Sequence, residues 1–503
     1  MTQTEYAVYN TQSEQKIFSD YYTINPPFGN SGIFENKEIG RTEYLLMEPY
    51  LDETEMNLLK AIKIDLIENG NIPYEVLKDE EKISIYLDDI IEKAFKHKKD
   101  VSSETKEKIV YYIKRDFLGY GSIDLLIRDD NIEDVSCNGL NIPVYVWHKE
   151  YESIPTNVTF ESEKELKAII TRLAYKSGIQ ISVSRPIAEG ILPNGYRVHL
   201  TLQEVSKRGH TFTIRKLRQN PFTIIDLIKR GTMNSKVAAY LWCLVENGRS
   251  IMVSGATGSG KTTLLNSICS FIKPEMKVVT IEDVQELHLH QNWIPMVART
   301  SFQPGVQEIT LFDLLKSALR QRPDYIILGE VRGEEAYTLF QSIATGHGGI
   351  CSIHSDSVES TIKRLSSRPL NIPDYIIPLM NVIIQIRRIS LDEELIRCVT
   401  DVAEITGNTN DGIPSINRRF TLNPDTSDLS YIEPESYDEY ILKKISEVNR
   451  VPLSRLILDI KRKETILKWM VNTDKSSYEE VSSIIRDYYL DNDDVYEKAE
   501  IDL

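Results

Sequence analysis

The chain has 503 residues, 41% hydrophobic and 27% charged, which is ordinary for a globular protein and enough for roughly two to four domains. Fifty-nine basic against 75 acidic residues leave a net charge of −16, which argues against nucleic acid as the main partner. No apolar run reaches the roughly 18 residues of a membrane span, and the opening Met1-Thr2-Gln3-Thr4-Glu5 lacks the basic and apolar regions of a signal peptide. A cytoplasmic protein with no membrane span of its own is expected, any membrane association being peripheral. The five cysteines, Cys137, Cys243, Cys269, Cys351 and Cys398, are far apart, so a reduced compartment is expected and cysteine-bound metal is not.

In chain order, residues 1–50 are polar and aromatic, broken by Pro26-Pro27, Gly29, Gly32 and Gly40, and predict short strands or an extended arm. Met56, Leu59, Ile62 and Leu66, then Ile83, Leu87, Ile90, Ile91 and Phe95, recur at helical spacing and predict a small helical bundle. A third helix over 104–117 leads into strands over 134–137, 143–147 and 157–160, a helix over 163–177, and strands over 196–202 and 211–215. That segment reads as an α+β domain. Asn220-Pro221 marks a linker, after which strands and helices alternate, as in a mostly parallel sheet covered by helices. Beyond about Thr406 the chain turns polar, then helical over 437–447, 453–470 and 478–489. From Asn472 onward ten acidic residues stand against three basic ones, the composition of a solvated acidic tail. The expected boundaries are 1–104, 105–218, 219–406 and 407–503.

Within the alternating region, Ile251-Met252-Val253-Ser254 runs into Gly255-Ala256-Thr257-Gly258-Ser259-Gly260-Lys261-Thr262-Thr263, the G-x-x-x-x-G-K-T phosphate-loop pattern between a buried strand and a helix. Its glycines permit backbone angles closed to other residues, so that successive N–H groups can face phosphate oxygens at a helix N-terminus. Nucleoside triphosphate binding follows. Carboxylates stand just past two further strands, at Glu282, Asp283 and Glu286 and at Glu330, where ligands of such sheets bind. Gly346-His347-Gly348-Gly349 then precedes a strand ending at His354.

These segments together resemble the ATPases of type II and type IV secretion systems, pilus assembly and archaella. The phosphate loop, an Asp box over 280–287, the glycine-glutamate motif Gly329-Glu330-Val331-Arg332 and a His box over 345–354 carry the resemblance. So do Leu118-Gly119-Tyr120-Gly121, Ile132-Glu133-Asp134-Val135, Asn138-Gly139, Arg197-Val198-His199-Leu200 and Phe212-Thr213-Ile214-Arg215-Lys216. The four-cysteine zinc site of many bacterial members has no counterpart here. Tyr22-Thr23-Ile24-Asn25-Pro26-Pro27 and Met47-Glu48-Pro49-Tyr50-Leu51 look more like the archaeal branch. The resemblance implies an α/β fold: a RecA-like phosphate-loop motor domain preceded by an α+β N-terminal domain and a helical N-terminal extension. It also implies a homohexamer at the inner face of the cell membrane, working on a polytopic platform protein with ATP and Mg²⁺.

Phosphoryl transfer to water needs positioning, charge neutralisation and an oriented nucleophile. Lys261 is expected on the phosphates and Thr262 on Mg²⁺. Glu330 is expected to polarise water or contact the metal's outer shell, with Glu286 the rival general base. Glu282 and Asp283 would support the metal partly through water, and His347 and His354 would sense the γ-phosphate. The resemblance adds Arg197 and Arg215, matching arginines that reach the nucleotide as the N-domain closes. The competing classes are a nucleic-acid motor on the same core, a nucleotide-switched scaffold and a small-molecule kinase. The charge speaks against the first, the presence of Lys261, Glu286 and Glu330 against the second, and the long N-terminal region against the third.

Overall fold

The computed structural model describes residues 18–36, 40–69, 80–96, 101–216, 221–289, 292–299, 307–391, 394–408, 414–423, 431–432 and 440–503. Residues 1–17 of the expected arm, Asn220 of the expected linker and residues 437–439 of an expected helix lie outside these. The chain forms two compact units, Met1–Arg218 and Gln219–Leu503.

In the first unit, strands β1 (Phe18–Asn25), β2 (Gly29–Asn36) and β3 (Arg41–Met47) form an antiparallel meander. Helices α1 (Glu53–Asn69), α2 (Glu80–Lys96) and α3 (Ser103–Phe117) follow. Leu59, Ile62, Leu66, Leu87, Ile91, Ile109 and Ile113 meet in a core of their own, as their spacing predicts. Met56, placed in the same stripe by its spacing, is instead exposed. After the short α4 (Asp124–Arg128) come β4 (Ile132–Cys137), β5 (Pro143–His148), β6 (Glu152–Thr159), α5 (Glu163–Lys176), β7 (Ile187–Ile191), β8 (Arg197–Thr201) and β9 (Thr211–Arg215). Their sheet runs β1-β2-β3-β6-β5-β4-β9-β8-β7, so the N-terminal meander extends the α+β sheet through β3 alongside β6. Val135, Val144, Val146, Val198, Leu200, Phe212 and Ile214 bury one face with Leu166, Ile170 and Leu173 of α5. The alternate residues on the other face include Asp134, Arg197, His199 and Arg215, none of them buried.

The second unit contains α6 (Ile224–Lys229), α7 (Ser235–Glu246), β10 (Ile251–Gly255), α8 (Lys261–Cys269), β11 (Val278–Glu282), β12 (Trp293–Val297), α9 (Leu311–Leu319), β13 (Tyr325–Leu328), α10 (Glu335–Ala344), β14 (Gly348–His354) and α11 (Val358–Ser366). Then come β15 (Val382–Leu391), β16 (Glu394–Asn408), β17 (Pro414–Leu422), β18 (Tyr431–Ile432), α12 (Tyr440–Asn449), α13 (Leu453–Asn472), α14 (Tyr478–Leu490) and α15 (Asn492–Asp502). The sheet order is β12-β11-β13-β14-β10-β15-β16-β17-β18. From β12 to β15 every pairing is parallel, and from β15 to β18 every pairing is antiparallel. The central strands are covered on both faces, by one core containing α7 and α8 and another containing α9, α10 and α11. Hence they read as continuous apolar runs without alternation.

The expected solvated tail is overturned. Helices α14 and α15 bury Val481, Ile485, Tyr488, Val495 and Ala499 in the same core as α7. Ser477 and Asp491 cap their N-termini. The Trp242 Nε1 donates to the Tyr489 hydroxyl at 2.7 Å, and that hydroxyl donates to the Phe271 carbonyl at 2.6 Å. Lys463 of α13, with no exposed surface, pairs with Glu246 of α7 and with Asp459. The acidic residues coat the outer side of these helices, so their composition conceals an apolar stripe at 481, 485 and 488.

Candidate nucleotide-binding site

The phosphate loop leaves the carboxyl end of β10, a strand with every residue buried. Gly255 is required by close approach: a Cβ there would lie 2.5 Å from the Ile386 carbonyl oxygen of β15 and 2.5 Å from Ser259 Oγ. Gly258 and Gly260 have φ of 73° and 94°, where a side chain is strained. Gly260 is the N-cap of α8 and offers no side chain to bond the first N–H groups. Lys261, Thr262 and Thr263 form the first turn, leaving the helix's free N–H groups and positive dipole end facing the loop. Ala256, Thr257, Gly258 and Ser259 make the intervening turn. The buried Ser259 hydroxyl has no hydrogen-bond partner among the described residues. An orphaned hydroxyl, a ring of backbone donors and a lysine are the donor set that phosphate oxygens require.

Lys261 Nζ donates to the Ala256 carbonyl at 3.0 Å, across the loop. Burial lowers its ammonium below the ordinary lysine value, and nearby Glu330 opposes that shift. Glu330, just past β13, accepts from Arg332 Nη2 at 2.6 Å, and Arg332 Nη1 lies 3.4 Å from Asp283. Arg332 thus bridges the ends of β13 and β11, and its hydrogen bond to Glu330 raises its guanidinium further above the ordinary value.

Two other carboxylates anchor the loops. Glu282, 3% exposed, accepts through Oε1 from the backbone N–H groups of Glu286 at 2.9 Å and Leu287 at 3.1 Å. Glu335, 7% exposed, accepts from the N–H groups of Arg332 and Gly333, both at 2.7 Å. Burial is tolerated because each carboxylate is met by backbone donors. Glu282 therefore fixes the half-buried Glu286 in position, and Glu335, which the sequence reading did not single out, does the same for the loop after Glu330. Of the expected metal set, Thr262 sits at the head of α8, Asp283 is exposed in its pair with Arg332, and Glu282 is turned to the backbone.

The two histidines separate. His354 ends β14 in register with Gly255, and its Nδ1 lies 3.3 Å from Thr257 Oγ1. His347 precedes β14 at the opposite end, with Nδ1 against the Ser342 carbonyl at 3.1 Å and Thr345 Oγ1 at 3.2 Å. Six residues of extended chain separate the two, which puts them about 20 Å apart. His347 therefore stands away from this chain's own phosphate loop, which opens from the other end of the sheet.

Arg197 and Arg215 belong to the first unit. They are direct partners across β8 and β9, and Arg215 pairs in turn with Asp134 of β4. Arg215 Nε donates to Asp134 at 3.0 Å. The sequence reading missed Arg388 and Arg397, which approach the phosphate loop from β15 and β16. Arg397 Nε donates to the Gly258 carbonyl at 3.0 Å. The only visible signal was a doubled arginine, Arg387-Arg388, closing an apolar strand.

Among the described residues no helix is long and apolar enough to cross a membrane. A sequence model of the type II/IV secretion system protein family matches residues 124–398, more than half of the chain. An uncharacterised protein of Methanocaldococcus jannaschii is 35% identical over 390 residues, covering 73% of this chain and 70% of that protein. The type IV secretion system protein PtlH of Bordetella pertussis is 33% identical over 229 residues, covering 40% of this chain and 66% of its own length. Among solved structures, the VirB11 ATPase of the Brucella suis type IV secretion system, in complex with sulphate, is 28% identical. It covers 55% of this chain and 90% of its own, with a TM-score of 0.29. With its phosphate loop, glycine-glutamate motif and matched span taken together, the chain belongs to the type II/IV secretion system protein family.

Proposed function

We propose that the chain hydrolyses ATP to ADP and phosphate. We further propose that, as a homohexamer on the cytoplasmic face of the membrane, it drives a platform protein that assembles an archaeal type IV pilus-like filament or archaellum, or exports substrates. The observation that carries this reading is the phosphate loop at the carboxyl end of β10, with left-handed Gly258 and Gly260 and a lysine whose charge is balanced from the Glu330 side. Lys261 and the N–H groups at the head of α8 hold the β- and γ-phosphates. The Thr262 hydroxyl, with Asp283 through water, is available to Mg²⁺, which when bound neutralises charge on the β- and γ-oxygens. Glu330 orients the attacking water and accepts its proton, Glu286 being the second candidate. His354, against Thr257, is suited to sense the terminal phosphate. Arg197 and Arg215 are assigned to the nucleotide through the family resemblance. The archaeal assignment draws support from the 35% identical archaeal relative.

The test is phosphate release by the purified chain. Lys261→Ala should remain folded and lose most of its turnover, because the phosphates lose their fixed cation. Turnover within about threefold of the unaltered chain would count against the assignment. In the source cell, replacing the gene with the Lys261→Ala form should abolish a surface filament or an exported protein, read by electron microscopy and by analysis of the medium.

A further inference from the structure

Strands β15 and β16 form an antiparallel hairpin beside β10, and Arg388 and Arg397 are direct cross-strand partners in it. Directly opposed residues project from the same face, so two guanidinium groups stand side by side, an arrangement that repels. Both face the phosphate loop. A Cβ built on Gly258 would lie 3.6 Å from Arg388 Nη1, and one on Gly260 would lie 3.4 Å from Arg397 Cδ. Arg397 uses its Nε on the Gly258 carbonyl, which leaves its two terminal amino groups for another acceptor. Arg387, next in the chain, turns the other way and donates to the Asp356 carbonyl at 2.7 Å. Among the described residues neither Arg388 nor Arg397 forms an ion pair with a carboxylate. Three cations, Lys261, Arg388 and Arg397, and the positive end of α8 thus converge on six residues of loop.

The sheet order says which part of a nucleotide these arginines would meet. Counting from β10, the strands carrying Glu330 and Glu286 lie to one side, beyond β14, and β15 and β16 lie to the other. The reacting terminal phosphate has to face the carboxylates that handle water. The opposite flank then meets the part of the polyphosphate that does not react.

We infer that Arg388 and Arg397 form a clamp on the diphosphate common to ATP and ADP, holding it from the flank opposite the carboxylates. This rests on the nucleotide reading given above and adds binding residues to that site. Guanidinium groups suit the task because each can give two parallel N–H bonds to phosphate oxygens. The phosphates in turn relieve the repulsion between the paired arginines. Because ADP keeps both phosphates, the clamp acts on substrate and product alike and sets how long the product stays.

The experiment is calorimetric titration of the full chain with ADP and with a non-hydrolysable ATP analogue, both with Mg²⁺. Arg388→Ala and Arg397→Ala should each weaken ADP and the analogue by a similar factor, about tenfold. Arg388→Lys and Arg397→Lys should recover part of the loss. Affinities within about twofold of the unaltered chain for both ligands would overturn the clamp and leave the arginines as braces of the hairpin. Loss confined to the ATP analogue would also overturn it, by moving the contact to the γ-phosphate. If the alanine variants fail to fold, Arg388→Gln and Arg397→Gln, which keep most of the stem, carry the same expectation. Lys261→Ala is the reference: an unaltered chain that binds neither ligand would sink the nucleotide reading and the clamp with it. Normal binding that the arginine variants leave unchanged would sink the clamp alone.

Discussion

Glu330 is held by Arg332 at 2.6 Å and lies close enough to Lys261 to bear on its charge, so one carboxylate faces two cations. If it handles the attacking water, Glu330→Gln keeps the shape and hydrogen-bonding reach while removing the base. Nucleotide binding should persist and turnover should fall by about two orders of magnitude or more. A variant that loses binding but keeps its rate per bound nucleotide would transfer the role to Glu286. A second residue, Lys216, belongs to the first unit and gives that unit a pH signature. Burial pushes its ammonium down to about 8, against the opposing pull of Asp129 and Asp130, and its Nζ donates to the Asp129 carbonyl. Between about 8 and the ordinary 10.5 the unfolded chain binds more protons than the folded one. Stability from this group therefore rises with pH across that window and is lower below it. Compared with Lys216→Met, the melting temperature of the unaltered chain should gain as pH is raised from about 8 to about 10. Parallel curves for the two proteins would mean that the ammonium is not desolvated.

At the scale of elements, α14 and α15 close the core of the second unit that contains α7 and α8. Trp242 stacks on Phe271 with ring centroids 5.1 Å apart, and Tyr488 and Tyr489 meet Trp242 edge-on. Phe271 lies two residues past the end of α8, so the tail is joined to the helix that follows the phosphate loop. Ending the chain at Asn472 would expose this aromatic cluster. It would also strip Val481, Ile485, Val495 and Ala499 from the core, at a cost of about 1.5–3 kcal/mol for each large apolar side chain. The truncated protein should melt at least about 10 °C lower or fail to accumulate in soluble form, and an unchanged melting curve would show that these helices are dispensable. Here the sequence misled because ten carboxylates dominated the composition while the stripe at 481, 485 and 488 was thin. The phosphate loop was legible for the opposite reason: its glycines and Lys261 act through local backbone geometry, which spacing alone encodes. His347 and His354 are near in sequence but stand at opposite ends of an extended strand, so spacing alone did not show that His354 is the one beside this chain's phosphate loop. The pairing of Arg388 with Arg397 was not legible because they become neighbours only through the register of β15 on β16. Glu282 and Glu286 look alike in sequence, and only burial separates the loop's anchor, Glu282, from the half-buried Glu286.

At the scale of the whole molecule, the proposed homohexamer draws on residues of both units. Lys261 and Glu330 belong to the second unit and Arg197 and Arg215 to the first, so a nucleotide served by all four needs both units held in a defined arrangement. Arg197 and Arg215 are cross-strand partners on a face that is not buried within the chain, and only one of the two carries an ion pair among the described residues. Such a pair gains when an anion is brought to it. A closed ring of subunits can supply that arrangement with one repeated interface. Each subunit carries a net charge of −16, so copies repel one another at low ionic strength, and salt that screens the repulsion should favour association until it weakens nucleotide binding. Light scattering should therefore register a species of six times the 57.7 kDa subunit mass, favoured by a non-hydrolysable ATP analogue, by higher protein concentration and by moderate salt. Specific activity should fall on dilution, since separated subunits lose the completed site. Under the proposed role, in which they reach a nucleotide already held by the loop, Arg197→Ala and Arg215→Ala should lower turnover more than they lower nucleotide affinity. A protein that scatters as a monomer at every concentration, with constant specific activity, would defeat the ring while leaving the phosphate loop and its carboxylates in place.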